Sequence, residues 1–305
     1  MVNRIIGEIN GKQPGPLIIL MGSLHGNETA GIKAIEEVFR KIEDDKLPVR
    51  GRLLGIRGNI QAFKEKKRYI HYDLNRAWTD EQIRRLRSNG KSLHFREDGE
   101  MLDLLDFFDS ILNHNGNQEK IFVDLHTTSS ENGNFIVVPE IYASHPVIRA
   151  LRLPLILDLE KHIKGTLLSY LVKKDMLAFA FEGGLIGSKI AVRLHVAGIW
   201  EILVTCGNIR SDDITEIRIA ALLQTFAYEL PYRLRVKYHY WITDEDEFRM
   251  KPGFVNFQRV SAGEVIASDR NREIVAPLDG LIFMPLYQRS GNDGFFIVEE
   301  VDKLV

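Results

Sequence analysis

A small set of side chains in this sequence has types and spacings that could do chemistry. His25 and Glu28 stand in His-x-x-Glu spacing directly after the apolar run Leu17–Met21. An imidazole nitrogen and a carboxylate oxygen so placed suit zinc, provided a third ligand comes from elsewhere. The competing reading is a turn in which Asn27 or Thr29 caps the following helix and the histidine faces solvent. His126 ends a second apolar run, I-F-V-D-L, and could be that third ligand; Asp124, two residues earlier on the same strand face, could orient it. Glu182 ends a third apolar run, L-A-F-A-F, and is followed by two glycines. It could cap the next helix, or serve as a general base. Arg68 and Arg76 lie eight residues apart with Asp73 and Asn75 between them, a set of donors suited to a carboxylate, or else an ordinary charged surface loop. A second His-x-x-Glu, His94 with Glu97, follows no strand and sits among Lys91, Arg96 and Asp98, so it is read as a decoy.

These residues need rigid carriers. Leu17–Met21, Ile121–Leu125 and Leu177–Phe181 read as buried strands, joined by Arg52–Arg57 and by short runs at Phe135–Val138 and Leu155–Leu157. Between them lie amphipathic helices at about Thr29–Ile42, Glu100–His114 and Ile186–Val204, and a further one at Ser211–Glu229. Arg68–Trp78 has neither a helical nor a strand period and is read as a pinned loop; Asp80–Asp98 reads as charged and solvated, His145-Pro146 as a turn, and His162–Tyr170 as a flexible cover. After Pro231 helical periodicity stops and short β-like runs punctuated by glycine take over, indicating a small barrel or sandwich. The expected organisation is an α/β domain over 1–230 and an all-β domain over 231–305.

Composition excludes several classes. A length of 305 residues with 45% hydrophobic and 27% charged residues is that of an ordinary globular protein. A net charge of −2 offers no general attraction to nucleic acid or acidic membranes. A single cysteine, Cys206, rules out an intrachain disulfide framework and a cysteine-based zinc finger; it reads as a buried core thiol. No apolar run reaches spanning length and no secretory leader opens the chain, so a cytoplasmic location is expected.

Together the motifs H-G-N-E (25–28), R-Y-I-x-x-D-L-N-R (68–76), D-L-H-T-T (124–128) and F-E-G-G (181–184) resemble the succinylglutamate desuccinylase/aspartoacylase family of the zinc carboxypeptidase superfamily. P-G-F at 252–254 and A-P-x-D-G-x-I at 276–282 extend the resemblance through the C-terminal part. The resemblance implies a mixed α/β sheet flanked by helices, with one zinc per chain held by His25, Glu28 and His126. It further implies that Arg68 polarises the scissile carbonyl, that Asn75 and Arg76 hold a substrate carboxylate with Asp73 supporting their loop, and that Glu182 activates water. One departure stands out: where aspartoacylases carry an extra arginine about ten residues before the glutamate, this chain has Lys173 and Lys174. Lysine lacks the bidentate fork, so a neutral or larger N-acyl amino acid competes with N-acetylaspartate as substrate. Three functions follow: a zinc amidohydrolase acting on a small N-acyl amino acid or related amide, a carboxypeptidase-like enzyme for short peptides, and a non-catalytic zinc- or ligand-binding relative. A homo-oligomer is compatible with all three.

Overall fold

The computed structural model describes residues 2–88, 93–114, 118–214, 223, 225, 230–270, 272–288 and 290–301. Its centre is three parallel strands, β2 (Gln13–Gly22), β4 (Lys120–Thr128) and β7 (Leu177–Leu185), paired side by side; β1 (Ile5–Asn10) and β3 (Arg50–Arg57) extend the sheet beyond β2, with β3 between β1 and β2. The three central runs are apolar at nearly every position because both sheet faces are covered. Ile18 and Leu20 point to one side, against α1 (Ala30–Asp44), α5 (Pro146–Leu151) and α7 (Lys189–Thr205). Leu17, Ile19 and Met21 point to the other, against α4 (Arg96–His114) and α6 (Leu167–Val172). Parallel pairing brings the C-terminal ends of β2, β4 and β7 to one edge, and these ends carry the first, third and last of the singled-out motifs.

On the far side of β7 the sheet continues through β5 (Asn134–Val138, antiparallel to β7) and β6 (Leu155–Leu157). It does not stop at residue 231. β8 (Arg233–Trp241) pairs in parallel with β6, and β14 (Asp293–Glu300), β13 (Gly280–Phe283) and β10 (Arg259–Val260) follow antiparallel, giving an eleven-stranded sheet among the described residues. A second sheet of β9 (Arg249–Met250), β11 (Val265–Asp269) and β12 (Arg272–Val275) packs over it through Phe254, Ile266, Ile282, Phe295 and Ile297. The layered C-terminal arrangement expected after Pro231 is therefore present, with one layer continuous with the main sheet.

Several local readings change. Asp80–Asp98 is not a solvated run: it holds α3 (Asp80–Ser88), with Leu86 buried, and the start of α4, where Glu97 and Asp98 are fully buried. His145 caps α5, accepting from the Val147 N–H, where only a turn was expected. A short helix, α2 (Ile60–Glu65), follows Asn59, whose side-chain oxygen accepts from the Ala62 N–H. The His162–Tyr170 segment is ordered as a capped helix start, the Thr166 hydroxyl accepting from the Ser169 N–H. Cys206 is half-buried at the end of α7, and burial pushes its thiol up to about 12. The helix expected over Ser211–Glu229 lies almost entirely outside the described residues; Ser211–Asp213 forms one tight turn.

Candidate active site

His25 and Glu28 sit in the turn between β2 and α1. Gly26, between them, lies against the backbone of α2: a Cβ there would stand 2.1 Å from the Ala62 carbonyl carbon, so only glycine fits. The Gly26 N–H donates to the Arg68 carbonyl at 3.0 Å, tying the first motif to the second. His126 and Glu182 are register partners on β4 and β7.

The ligand-type atoms of His25, Glu28 and His126 all lie within 4.8 Å of one another, and all three residues are buried. His25 Nδ1 faces Glu28 Oε1 at 2.8 Å, and His126 Nδ1 faces Glu28 Oε2 at 3.1 Å. The outward nitrogens are backed by aspartates: His25 Nε2 lies 3.1 Å from Asp73 Oδ1 and His126 Nε2 lies 2.8 Å from Asp124 Oδ2. This is the arrangement a histidine-ligated metal requires, with one nitrogen converging and the other oriented by a carboxylate. The donor set of two imidazoles and one carboxylate fits zinc with a position left open for reaction. Burial pushes the Glu28 carboxyl up, but His25 and His126 outweigh it and hold it well below the usual carboxylate range. Burial lowers His126, yet Asp124 and Glu28 hold it well above its ordinary value. The Thr127 N–H adds a 2.8 Å bond to Glu28 Oε2.

Arg68 reaches the same cluster. Its Nη2 donates to Asp73 Oδ2 at 3.0 Å and its Nη1 lies 3.5 Å from Glu28 Oε1. Asp73 also accepts from the Asn75 N–H at 2.9 Å, so one carboxylate aligns a histidine, an arginine and the following turn. Burial raises Asp73, but His25 and Arg68 pull it well below its ordinary value. Asn75 Oδ1 accepts from the Leu167 N–H at 3.0 Å, anchoring the loop to α6.

Glu182 lines the same pocket, buried, with Oε2 lacking a hydrogen-bond partner among the described residues. Burial first, then Glu28 and Asp124, push its carboxyl up to about 8, against the lowering pull of His126 and Arg68. It does not cap α7, which starts seven residues later and is capped by Ser188, whose hydroxyl accepts from the Ile190 N–H. Gly183 is required by His195, a fully buried histidine on α7: a Cβ at Gly183 would sit 2.4 Å from the imidazole Nε2.

These groups open on a cavity of about 590 Å³. His25, Glu28, Arg68, Asn75, Arg76, His126 and Glu182 all line it, while Asp73 stands directly behind His25 and Arg68 and Asp124 behind His126. The decoy is explained by structure. His94 is exposed, while Glu97 accepts from the backbone N–H groups of Ile70 and His71 at 2.6 and 3.2 Å and so shapes the Arg68 loop. Sequence reasoning missed Asp293 and His239 on the C-terminal strands. Arg76 Nη2 donates to Asp293 Oδ2, and His239 Nε2 lies 2.9 Å from Asp293 Oδ1. Nothing local marks Asp293, since it reads as one polar residue of the turn G-N-D-G.

Fold and site together define an α/β protein whose sheet presents a histidine–carboxylate cluster, an arginine and an isolated glutamate at one pocket. The model of the succinylglutamate desuccinylase/aspartoacylase catalytic domain matches residues 14–180, more than half of the chain, and the chain belongs to that family. Among relatives, the succinylglutamate desuccinylase of Pseudomonas paraeruginosa is 30% identical over 119 residues, 39% of this chain and 33% of that protein, and the one from Shewanella frigidimarina is 27% identical over 124 residues, 40% and 35% respectively. The match thus spans about a third of the length of these relatives. Solved structures show the same fold. The succinylglutamate desuccinylase of Vibrio cholerae superposes with a TM-score of 0.68 at 18% identity, covering 97% of this chain and 85% of that one. The ectoine utilization protein EutE (DoeB) of Ruegeria pomeroyi does so with 0.68 at 18%, covering 96% and 87%. No helix among the described residues is long and apolar enough to cross a membrane.

Proposed function

We propose that the protein is a zinc-dependent amidohydrolase that removes the acyl group from an N-acyl amino acid or related amide, with one zinc per chain held by His25, Glu28 and His126. The observation that carries this reading is the convergence of those three donor groups, each histidine backed by an aspartate, next to an unpartnered buried carboxylate. Zinc at that site would supply a Lewis acid, and its positive charge would lower the Glu182 carboxyl from about 8.

The remaining roles fall to the chain. Glu182 accepts the proton of the attacking water as the new carbon–oxygen bond forms, then delivers it to the amine nitrogen as the carbon–nitrogen bond breaks. Arg68 stays cationic, since burial lowers it but Asp73 and Glu28 raise it further, and it stabilises the charge growing on the carbonyl oxygen. Such a partner is worth roughly 10²–10³ in rate. The Asn75 amide nitrogen and the donors left on Arg76 hold the substrate carboxylate, and Asp73 keeps the loop in place. The chain acts as a catalytic unit over 1–230 and a β unit over 231–305 whose Met284, Leu286 and Asp293 wall the pocket, which favours small substrates over peptides. The same reading places its work in the cytoplasm, on small molecules rather than nucleic acid or membrane, in keeping with a net charge of −2.

Two measurements test it. Zinc content is expected near one per chain in the wild type and His94→Ala, and to fall in His25→Ala; loss from His94→Ala with retention in His25→Ala would reverse the assignment. The zinc-loaded protein is expected to release free amine from members of an N-acyl amino acid panel. Absence of release across the panel, with zinc bound, would sink the amidohydrolase reading.

A further inference from the structure

Arg76 is already engaged. Its Nη1 donates to the Asn75 carbonyl at 2.8 Å and its Nη2 to Asp293. Asp293 is no mobile tip: it opens β14 in register with Trp241 of β8, and the adjacent Asn292 continues the pairing by exchanging bonds with Ile242, 2.8 Å into its carbonyl and 3.1 Å from its side chain. His239, stacked on Phe296 with 4.3 Å between ring centroids, backs the other carboxylate oxygen. Burial raises the Asp293 carboxyl, but His239 and Arg76 more than offset this and keep it ionised.

The other cations of the pocket are matched in the same way. Arg68 serves Asp73 and Glu28, and Lys161 Nζ lies 2.6 Å from Asp158. Only Lys173, which is exposed, lacks an ion pair among the described residues, and carboxylates outnumber cations along the wall. The rest of the lining is uncharged, with apolar side chains such as Val137, Ile163, Val172 and Leu286 beside the hydroxyls of Thr128, Ser129 and Ser169. One substrate carboxylate can share the remaining donors of Asn75 and Arg76. A second would find only the exposed Lys173 as an unpaired cation, and deeper in the pocket it would meet uncharged side chains and an excess of carboxylates, where a buried unpaired charge is strongly disfavoured.

We propose that Asp293 is a specificity-determining residue: by occupying the Arg76 guanidinium it excludes substrates with a second carboxylate and leaves the pocket to N-acyl amino acids whose side chain or acyl group is apolar. This rests on the amidohydrolase reading for its substrate class. It differs from that reading in predicting an order of preference that binding alone reveals.

The experiment uses zinc-loaded protein and four probes: N-acetylleucine, N-octanoylglycine, N-acetylaspartate and N-succinylglutamate. Thermal shift reads binding whether or not the amide is cleaved, and amine release reads kcat/KM. In the wild type the better of the two apolar probes is expected to exceed both dicarboxylates by at least about 10-fold in kcat/KM, or in apparent affinity where nothing is cleaved. Which of the two is better assigns the apolar wall to the side chain or to the acyl group. Asp293→Asn and Asp293→Ala free Arg76 and should move the ratio towards N-acetylaspartate by about 10-fold or more. A wild type that binds or cleaves a dicarboxylate best overturns the proposal, and does so even if neither variant folds. Variants that change all four probes by the same factor remove Asp293 from specificity and leave it a structural ion-pair partner. Binding in the expected order without cleavage upholds the selectivity while ending the amidohydrolase reading.

Discussion

Glu182 differs from Glu28 and Asp73 because, among the described residues, no ion pair holds it ionised. Glu28 and Asp73 are held ionised by histidines and arginine, whereas Glu182 is buried with one oxygen unpartnered and is pushed up to about 8. A carboxylate in that condition costs stability and is in keeping with the proton transfer proposed for it. Glutamine has the same size but does not take up a proton at neutral pH. Glu182→Gln is therefore expected to keep its zinc and to melt at or slightly above the wild-type temperature. Amine release should fall by roughly 10² or more, since general acid–base groups contribute roughly 10²–10⁴ in rate. A variant retaining more than about a tenth of wild-type turnover at saturating zinc would take Glu182 out of the chemistry.

At the scale of elements, the Arg68 loop owes its shape to the start of α4. Three donors converge on Glu97, the N–H groups of Ile70 and His71 and the Asn59 amide at 3.3 Å, and the His71 ring nitrogen lies 3.3 Å away. The next residue, Asp98, accepts from the Tyr72 hydroxyl at 3.0 Å and from the Arg85 guanidinium. A segment with no regular hydrogen-bond ladder needs such side-chain acceptors, because each buried orphan N–H costs about 1–3 kcal/mol. Glu97→Ala should accordingly lose about 2–4 kcal/mol in denaturant unfolding and lower activity through Arg68, while His94→Ala, an exposed change, should stay within about 0.5 kcal/mol of wild type. Equal stabilities for the two variants would mean that the loop holds its conformation without α4.

Across the whole molecule, the point where composition changes is not where the sheet ends. β8 lies between β6 and β14, and Phe135 and Ile156 of the first part share a core with Leu234, Phe283 and Phe296 of the second. A chain cut after residue 230 would expose the full length of the β6 edge and the apolar face beside it, a pairing and aggregation hazard. It is expected to be recovered insoluble, or without a cooperative melting transition, and to bind no substrate analogue. Recovery of a soluble 1–230 fragment with a sharp transition would show that the C-terminal strands are an addition to a self-sufficient core.

The sequence by itself determined which strands are central and which residues end them. Leu17–Met21, Ile121–Leu125 and Leu177–Phe181 are apolar without alternation, and that pattern is stable only where both faces of a parallel sheet are covered. A polar residue at the end of such a strand needs a reason, so His25, His126 and Glu182 were legible as a set, and the motif resemblance ordered their roles. Helix starts at Arg96, Lys189 and Pro146, the burial of Glu97 and Asp98, and the pairing of Arg76 with Asp293 were decided only by tertiary structure. The physical reason is common to all of them. Charge in a sequence predicts solvent exposure unless a partner is known, and here the partners of Glu97 lie 26 to 38 residues away and that of Arg76 lies 217 residues away. Local periodicity carries the contacts a strand or helix makes with its own layer. It carries nothing about which distant side chain will meet a charge in the fold, as Asp293 meets Arg76 at this pocket.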